Sequence, residues 1–324
     1  MRAAYYRSTG SPDVLKVGDL AIEPPGEGEV QVAVRASGIN PADTKRRAGW
    51  RGAKMAHPLI VPHADGAGVI VAVGEGVSEA RIASRVYLYN AGRNNGLGTC
   101  AERVNVSADQ AVPLPEGVSF DVGACLGIPA HTAHHAVLAE GKVAGLDVLV
   151  QGGAGAVGLL AVQIASHFGA RVIATVSHDE GAKRAREAGA ADVIDRHRED
   201  VVQAVHHLTD GAGVQRIVEV DLGANLAADV AMIAENGTIS SYSSTSLPEP
   251  TLPYYALAQK GVTVRFVQAY ILPERARAAA ISDVDAMLRA GTLQPGPATT
   301  FDLANAAAAH AHSEAGAGKA IITI

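Results

Sequence analysis

Val148-Leu149-Val150-Gln151-Gly152-Gly153-Ala154-Gly155-Ala156-Val157-Gly158 sets a short apolar run against a glycine-rich turn and the start of a longer apolar stretch. The short run reads as a buried strand, and residues 157–168 as a helix that Gly169-Ala170 closes in the manner of a glycine C-cap. Outward from this stretch the alternation repeats. Arg171–Val176 is the next strand, a helix rich in Ala, Lys, Arg and Glu ends at Gly189-Ala190, and Asp192–Asp195 and residues 216–220 are further strands. Strands and helices alternating at this spacing give parallel βαβ units, right-handed crossovers and an open, doubly wound α/β sheet.

The first third has another character. Residues 30–36 alternate apolar and polar with the period of a half-buried strand, and residues 66–74 form an apolar run cut by glycines. Residues 24–29 are a turn cluster. Strands and turns without long helices make a compact β-rich domain. The chain is helical again after residue 270, including the Ala-rich residues 304–312, and closes on a strand at 320–324. The ends therefore belong to one domain with the βαβ part inserted: 1–122, then 123–268, then 269–324.

A length of 324 residues suggests about two domains. Lys and Arg number 27 against 33 Asp and Glu, a net charge of −6 that argues against a general nucleic-acid binder. Two cysteines cannot build a disulfide framework or a four-cysteine zinc lobe, and fit a reduced, cytoplasmic setting. No apolar run approaches a membrane span, and Met1 to Arg7 holds no apolar signal core.

Residues 153–158 fit G-x-G-x-x-G in the strand–turn–helix context that the motif requires. The first glycine allows the tight turn, the second lets backbone approach a pyrophosphate, and the third lets helix and strand pack closely. Free N–H groups at the helix start then face phosphate. The expected ligand is a nicotinamide dinucleotide. Sites for NAD place an acid after the second strand, where this chain has Ser177; Asp179 and Glu180 follow slightly later. Ser177, Lys183 and Arg196 suit a 2′-phosphate, which favours NADPH.

Five segments together resemble the zinc-free, zeta-crystallin-like quinone oxidoreductases of the medium-chain dehydrogenase/reductase superfamily. They are residues 38–44, 65–70, 127–133, 151–158 and 318–322, in that order along nearly the whole chain. The resemblance implies a GroES-like β-rich catalytic domain joined to a Rossmann domain, an active site in the cleft between them, and a homodimer. It implies that Asn40, Pro41, Thr44, Lys45 and Thr132 meet the nicotinamide end. Gly155, Ala156 and Val157 would hold the pyrophosphate, and Ser177, Lys183 and Arg196 the adenosine phosphate. Asn225, Ser241, Tyr242, Ser243, Ser244, Phe266, Val267 and Gln268 would line the remainder, and Lys319 would also touch the cofactor. Lys45 stands where members often carry Tyr, and Arg196 where many carry Tyr or His. A second aromatic often lies near Trp50 or Arg51, so both are candidates for the substrate; packing within its loop is the other role open to Trp50.

Zinc-dependent relatives place Cys and His near the positions of Asn40 and Ala64, neither an ordinary zinc ligand. His63 adjoins Ala64, but a one-residue slip in a strand points it to the opposite face. Cys100 and Cys125 lack ligand spacing and read as small buried hydrophobes. His131, His134 and His135 share a helix face with no nearby carboxylate to complete a site, while His206, His207, His310 and His312 are expected to face solvent. The expected chemistry is metal-free reduction of a small-molecule acceptor, a quinone. Asn40 and Thr132 would bond the carboxamide or a developing oxyanion, and Asp43 would fix its loop through backbone N–H groups. Two roles are open to Lys45: electrostatic stabiliser or proton donor, and surface lysine or contact to the cofactor ribose. Reduction of activated C=C bonds in enones or enals is the sister activity on this scaffold. A cofactor-bound sensor, or an RNA-binding or structural protein, is the alternative of another class.

Overall fold

In the computed structural model, which describes residues 1–324, Arg2–Tyr5 (β1) and Lys16–Asp19 (β2) form an antiparallel pair. The strand expected at 30–36 runs through Glu29–Gly38 (β3), and the glycine-cut run through Asp65–Val73 (β4). Pro41–Ala48 (α1) lies between them. Arg85–Leu88 (β5), Arg103–Ser107 (β6), Ala111–Pro113 (β7), Phe120–Gly123 (α2) and Gly127–Leu138 (α3) follow. The parallel system then opens with Asp147–Val150 (β8), Ala156–His167 (α4), Arg171–Val176 (β9), Asp179–Glu187 (α5) and Asp192–Asp195 (β10). It continues with Val201–Leu208 (α6), Val214–Glu219 (β11), Leu222–Met232 (α7), Ile233–Ser241 (β12), Tyr254–Gln259 (α8), Thr263–Phe266 (β13) and Glu274–Arg289 (α9). Ala298–Asp302 (β14), Ala306–Glu314 (α10) and Lys319–Thr323 (β15) close the chain.

The chain divides into two units, Met1–Ile128 with Pro297–Ile324, and Pro129–Gly296. The second junction lies at 296/297 instead of the expected 268/269, and the first at 128/129 instead of 122/123. The reason for the larger shift is α9. His134 on α3 bonds Asp283 on α9, and Gln163 on α4 bonds Gln294 just beyond it, which ties that helix to the parallel-sheet unit.

In the first unit a seven-stranded sheet runs β14-β15-β3-β4-β5-β7, with β6 also paired to β3. The terminal strand β15 lies antiparallel to β3, with Ile321 opposite Gly38, so the two ends of the chain share one sheet as the sequence suggests. Val30, Val32, Ile70, Val86, Leu88 and Val104 form its main apolar core.

In the second unit β10-β9-β8-β11-β12-β13 are all parallel. Leu149, Ile173, Ile217 and Ile239 from its central strands are buried among residues of α6 and α7, the near-continuous apolar character expected of strands covered on both faces. The strand order reverses between β8 and β11, the switch point at which such sheets take ligands outside the carboxyl ends of their strands. No helix is long and apolar enough to cross a membrane.

Candidate active site

The glycine loop leaves the carboxyl end of β8. The residue with positive φ is Gly152 (φ 69), one place ahead of the G-x-G-x-x-G frame, so the tight turn belongs to Gly152 and not to the motif's first glycine. Gly153 instead provides close approach: a Cβ there would lie 2.7 Å from the Ala174 Cβ on β9. A Cβ at Gly158 would collide with the Gly152 carbonyl oxygen, so the third glycine packs helix on loop as expected. Gly155 is the N-cap of α4, and the first intrahelical bond runs from the Leu159 N–H to the Gly155 carbonyl. The N–H groups of Ala156, Val157 and Gly158 therefore precede the ladder, and Gly155 and Ala156 are exposed to solvent. An open, positively polarised helix end with no side chain at Gly155 fits a pyrophosphate.

The other candidates of this unit gather at the same edge of the sheet. Ser177 follows β9 and Arg196 follows β10, whose last residues Val176 and Asp195 are paired; the Arg196 N–H donates to the Val176 carbonyl at 3.0 Å. Both side chains are exposed, as is Lys183 on α5. Arg198 Nη1 reaches Asp179 Oδ1 at 2.6 Å and holds that carboxyl below its usual range. Ser241 to Ser244 leave the end of β12, where Ser241 Oγ donates to the Ser243 carbonyl and Ser244 Oγ accepts the Gly223 N–H. Tyr242 N–H donates to the Glu219 carbonyl. Phe266 ends β13 and is 75 % exposed, Val267 is buried, and Gln268 is exposed. Asn225 sits one turn into α7, with its amide given to Glu219 Oε1 at 2.9 Å.

In the first unit the side chains converge on Asn40. Asn40 is the N-cap of α1 and Pro41 its first residue, a sequence that starts helices readily. Asp43 Oδ2 accepts the Asn40 N–H at 2.8 Å, the backbone role expected of it, and Thr44 Oγ1 donates to the Pro41 carbonyl. The Asn40 side chain is used elsewhere. Its Nδ2 donates to Asp65 Oδ2 at 2.7 Å, and its Oδ1 accepts from Lys319 Nζ at 2.9 Å. The other Asp65 oxygen accepts the Ile128 N–H at 2.9 Å. Burial lifts the Asp65 carboxyl to about 7, against the pull of Lys319, Asn40 and that N–H. Burial also raises Asp43, opposed by the Asn40 N–H, Arg46 and Lys319. This network fixes the amide of Asn40 in one orientation.

Beyond α1 the chain turns through Gly49, Arg51 and Gly52, all at positive φ. Trp50 is left 41 % exposed, with Lys45 Nζ 4.8 Å and Arg51 Cζ 5.7 Å from its ring centroid, both in the range of cation–π attraction. Thr132, on α3 in the second unit, is buried.

The histidines depart furthest from expectation. His310 is fully buried instead of solvent-facing, and its Nε2 lies 2.9 Å from Nε2 of His63. The protons follow from the partners. Thr99 Oγ1 donates to the Asp65 carbonyl, so it accepts from Ser37 Oγ, which in turn accepts from His63 Nδ1. His63 Nε2 is then an acceptor and His310 Nε2 its donor, both rings neutral. Burial drives His63 far down and His310 to about 3. His312 is half-buried against Phe301. His134 does have a carboxylate, Asp283 from α9 at 2.7 Å, and burial holds His131 to about 3. No three potential ligands gather into a group that could hold a metal ion. Cys100 and Cys125 are both buried.

Sequence reasoning gave Asp65 no role of its own, placed His310 in solvent, and passed over the Glu219–Asp229 carboxyl pair. Asp65 opens both the 65–70 family segment and a glycine-rich strand, and these are the signals that could have marked it. The Glu219–Asp229 pair joins the consecutive elements β11 and α7, with no spacing motif to mark it, and His63–His310 joins segments far apart in the chain.

Two family models match: the alcohol dehydrogenase GroES-like domain over residues 26–116 and the zinc-binding dehydrogenase over residues 156–284. The quinone oxidoreductase of Sus scrofa is 31% identical over 320 residues, covering 97% of this chain and 95% of its own. A solved NAD-dependent alcohol dehydrogenase is similar at 28% identity and a TM-score of 0.89, with all of both chains covered. The Escherichia coli quinone oxidoreductase, solved with NADPH, is similar at 25% identity and a TM-score of 0.87, again with all of both chains covered. With a GroES-like unit, a six-stranded parallel Rossmann sheet and this identity across nearly its whole length, the chain belongs to the quinone oxidoreductase family of the medium-chain dehydrogenase/reductase superfamily.

Proposed function

We propose that this oxidoreductase reduces quinones with NADPH: quinone, NADPH and one proton become hydroquinone and NADP⁺. The observation that carries the acceptor class is Trp50, a half-exposed indole flanked by the cations of Lys45 and Arg51. A flat π face suits a planar ring, and adjacent positive charge stabilises the oxygen anion that quinone reduction creates.

A bound nicotinamide supplies the hydride. The residues of this chain hold, orient and neutralise. Gly155, Ala156 and Val157 take the pyrophosphate on the open end of α4. Ser177, Lys183 and Arg196 take the 2′-phosphate, and Arg198 keeps the Asp179 carboxylate engaged where it would otherwise repel that phosphate or serve a 2′-hydroxyl. Asn40, locked between Asp65 and Lys319, presents its amide in a fixed sense, and Thr132 offers a hydroxyl. Lys45 provides charge or a proton to the reduced oxygen. Zinc has no place in this scheme: Asn40 has its amide committed to Asp65 and Lys319, and Ala64 has no donor. The exposed Phe266 on the edge strand β13, with Tyr254 and Tyr255 nearby in sequence and also exposed, supports a homodimer through that edge.

The test is NADPH consumption with a quinone, an enone, an enal and a ketone. The reading requires the quinone to turn over fastest. Preference for the enone or enal would move the function to double-bond reduction.

A further inference from the structure

Under the glycine loop runs a chain of side chains that acceptor chemistry leaves unused. The Gly152 N–H donates to Thr175 Oγ1 at 3.0 Å, the Thr175 hydroxyl donates to Gln151 Oε1 at 2.8 Å, and Gln151 Nε2 donates to Asp229 Oδ1 at 3.2 Å. Asp229 on α7 and Glu219 at the end of β11 are both fully buried. Glu219 Oε1 accepts from the Asp221 N–H and from Asn225 Nδ2. The remaining oxygens, Asp229 Oδ2 and Glu219 Oε2, are buried with no other donor, and the two carboxyl groups bond to each other.

Two buried carboxyl groups in contact cannot both ionise at modest cost. The donors already on Glu219 favour its anion. The hydrogen therefore sits on Asp229 Oδ2 and is donated to Glu219 Oε2. The polarity of the chain is then fixed from the loop backbone to the end of β11.

We propose that this shared proton positions the dinucleotide loop: Asp229 and Glu219, acting through Gln151 and Thr175, hold Gly152, and losing the proton weakens binding of NADPH and NADH alike. Gly152 is the positive-φ residue of the loop, and its carbonyl accepts the Gly155 N–H at 2.9 Å, so a pull at Gly152 reaches the N-cap of α4. A second anion at Asp229 would face Glu219 with nothing between them. The pair would part or admit water, and the Gln151 amide would follow it.

Burial raises the carboxyl of Glu219, and burial with repulsion from Glu219 raises that of Asp229. The other ionisable groups that face the pair are Asp221 in the turn after β11 and Tyr242 after β12. Burial and the charge of Glu219 push Tyr242 further above its ordinary range. The facing groups from β8 and β9, Gln151 and Thr175, are neutral. On α6, which packs against α7, His206 and His207 do not act on either carboxyl. No cation acts on the pair either: Lys260, which reaches the end of α7, gives its ammonium to the Val230, Ala231 and Ile233 carbonyls, so the proton is the neutralising charge. The sign follows: affinity is full while the pair holds its proton and falls as pH rises through its loss.

This inference rests on unit Pro129–Gly296 being a dinucleotide site, and not on the acceptor. The test is a fluorescence titration of the whole protein with NADPH and with NADH near pH 7 and near pH 9.5. Both dissociation constants should rise, by about fivefold or more, the lower end of ordinary coupling between sites. In Asp229→Asn the amide still donates to Glu219 and still accepts from Gln151, with no proton to lose, so the ratio between the two pH values should fall to near one. Glu219→Gln, which moves the donor to the other side of the pair, should flatten the ratio in the same way. Carbon-detected NMR of the side-chain carboxyl groups should show near pH 7 a protonated buried carboxyl, besides that of Asp65, whose signal persists in Asp65→Asn and is absent in Asp229→Asn. An equal alkaline rise in wild type and both variants overturns the proposal, as does a wild-type affinity independent of pH. A rise for NADPH alone would also overturn it, since that is the mark of a titrating phosphate contact. Failure to bind either dinucleotide near pH 7 would sink the reading of this unit as well, whereas absence of quinone turnover leaves both binding results standing.

Discussion

Lys319 Nζ lies 2.9 Å from Asn40 Oδ1 and 2.9 Å from the Ile39 carbonyl, so the first residue of the last strand grips the residue that starts the first helix. Nothing local requires this contact. It depends on β15 lying beside β3, and it sets the direction of an amide whose other end is held by Asp65. The candidate chemistry of this unit therefore depends on closure of the chain, which makes its electrostatics testable through stability.

Asp65 should leave a signature in the pH dependence of unfolding. Its folded pKa, about 7, is above the unfolded value of 3.8, so the native state binds the extra proton between these limits. Stability from this group is full below 3.8 and is lost as pH rises through 7, by up to about 4 kcal/mol for a shift of this size. Urea unfolding of wild type and Asp65→Asn near pH 4 and near pH 7 should show wild type losing ground to the variant. Parallel curves would contradict the buried carboxyl.

The His63–His310 pair works in the opposite sense. Both rings are held neutral with folded pKa values below 6.5, so their contribution is present above 6.5 and is lost as pH falls towards 3. His310→Leu leaves His63 Nε2 without its donor and should cost about 1–3 kcal/mol near pH 7. That cost should shrink near pH 4, because the unfolded variant has one histidine fewer to protonate. A cost independent of pH would contradict burial of His310 as a neutral ring, since its folded and unfolded pKa values would then be equal.

Within the glycine loop, two substitutions should separate packing from binding. Gly158→Ala places a Cβ on the Gly152 carbonyl and should cost about 1–3 kcal/mol in thermal unfolding, in addition to lost dinucleotide affinity. At Gly155 a Cβ meets only the Gly152 oxygen, at 3.3 Å. Gly155→Val should therefore unfold near the wild-type temperature while its dissociation constant for NADPH rises at least about tenfold, equivalent to 1.4 kcal/mol. Unimpaired binding by Gly155→Val would remove the pyrophosphate from this helix end.

The combined change Lys183→Ala with Arg196→Ala should raise KM for NADPH by about a hundredfold or more, as loss of two charge-assisted bonds worth about 1.5–3 kcal/mol each would. KM for NADH should stay within about twofold, a few tenths of a kcal/mol. Steady-state kinetics with each dinucleotide decides this. An equal loss for both would assign these cations to the fold and not to the phosphate.

The parallel-sheet unit was legible because its signals are local. Asp192–Asp195 and Arg171–Val176 are strands with the expected limits, and α4 begins one residue before the expected 157. Ser177 and Arg196 fall side by side because consecutive parallel strands end together, which the βαβ pattern already implies. Asn40 as a helix start could also be read from Asn-Pro. The partners of Asn40 could not, since Asp65 and Lys319 reach it through sheet register and not through spacing. His310 shows the same limit: an Ala-rich helix carries no pattern that distinguishes a buried histidine from an exposed one, and its partner ring, His63, stacks on it from 247 residues away. The role of Gly152 was displaced by one residue because the motif counts glycines, whereas the turn is set by φ.

An anaerobic single turnover decides which acceptor takes the hydride. NADPH-loaded protein is mixed with a quinone or with an enone, and the near-ultraviolet absorbance of NADPH is followed alongside product analysis. One hydroquinone should form for each NADPH consumed, at a rate that saturates with quinone and exceeds that with the enone. Persistence of the NADPH signal with the quinone, or faster loss with the enone, would contradict it.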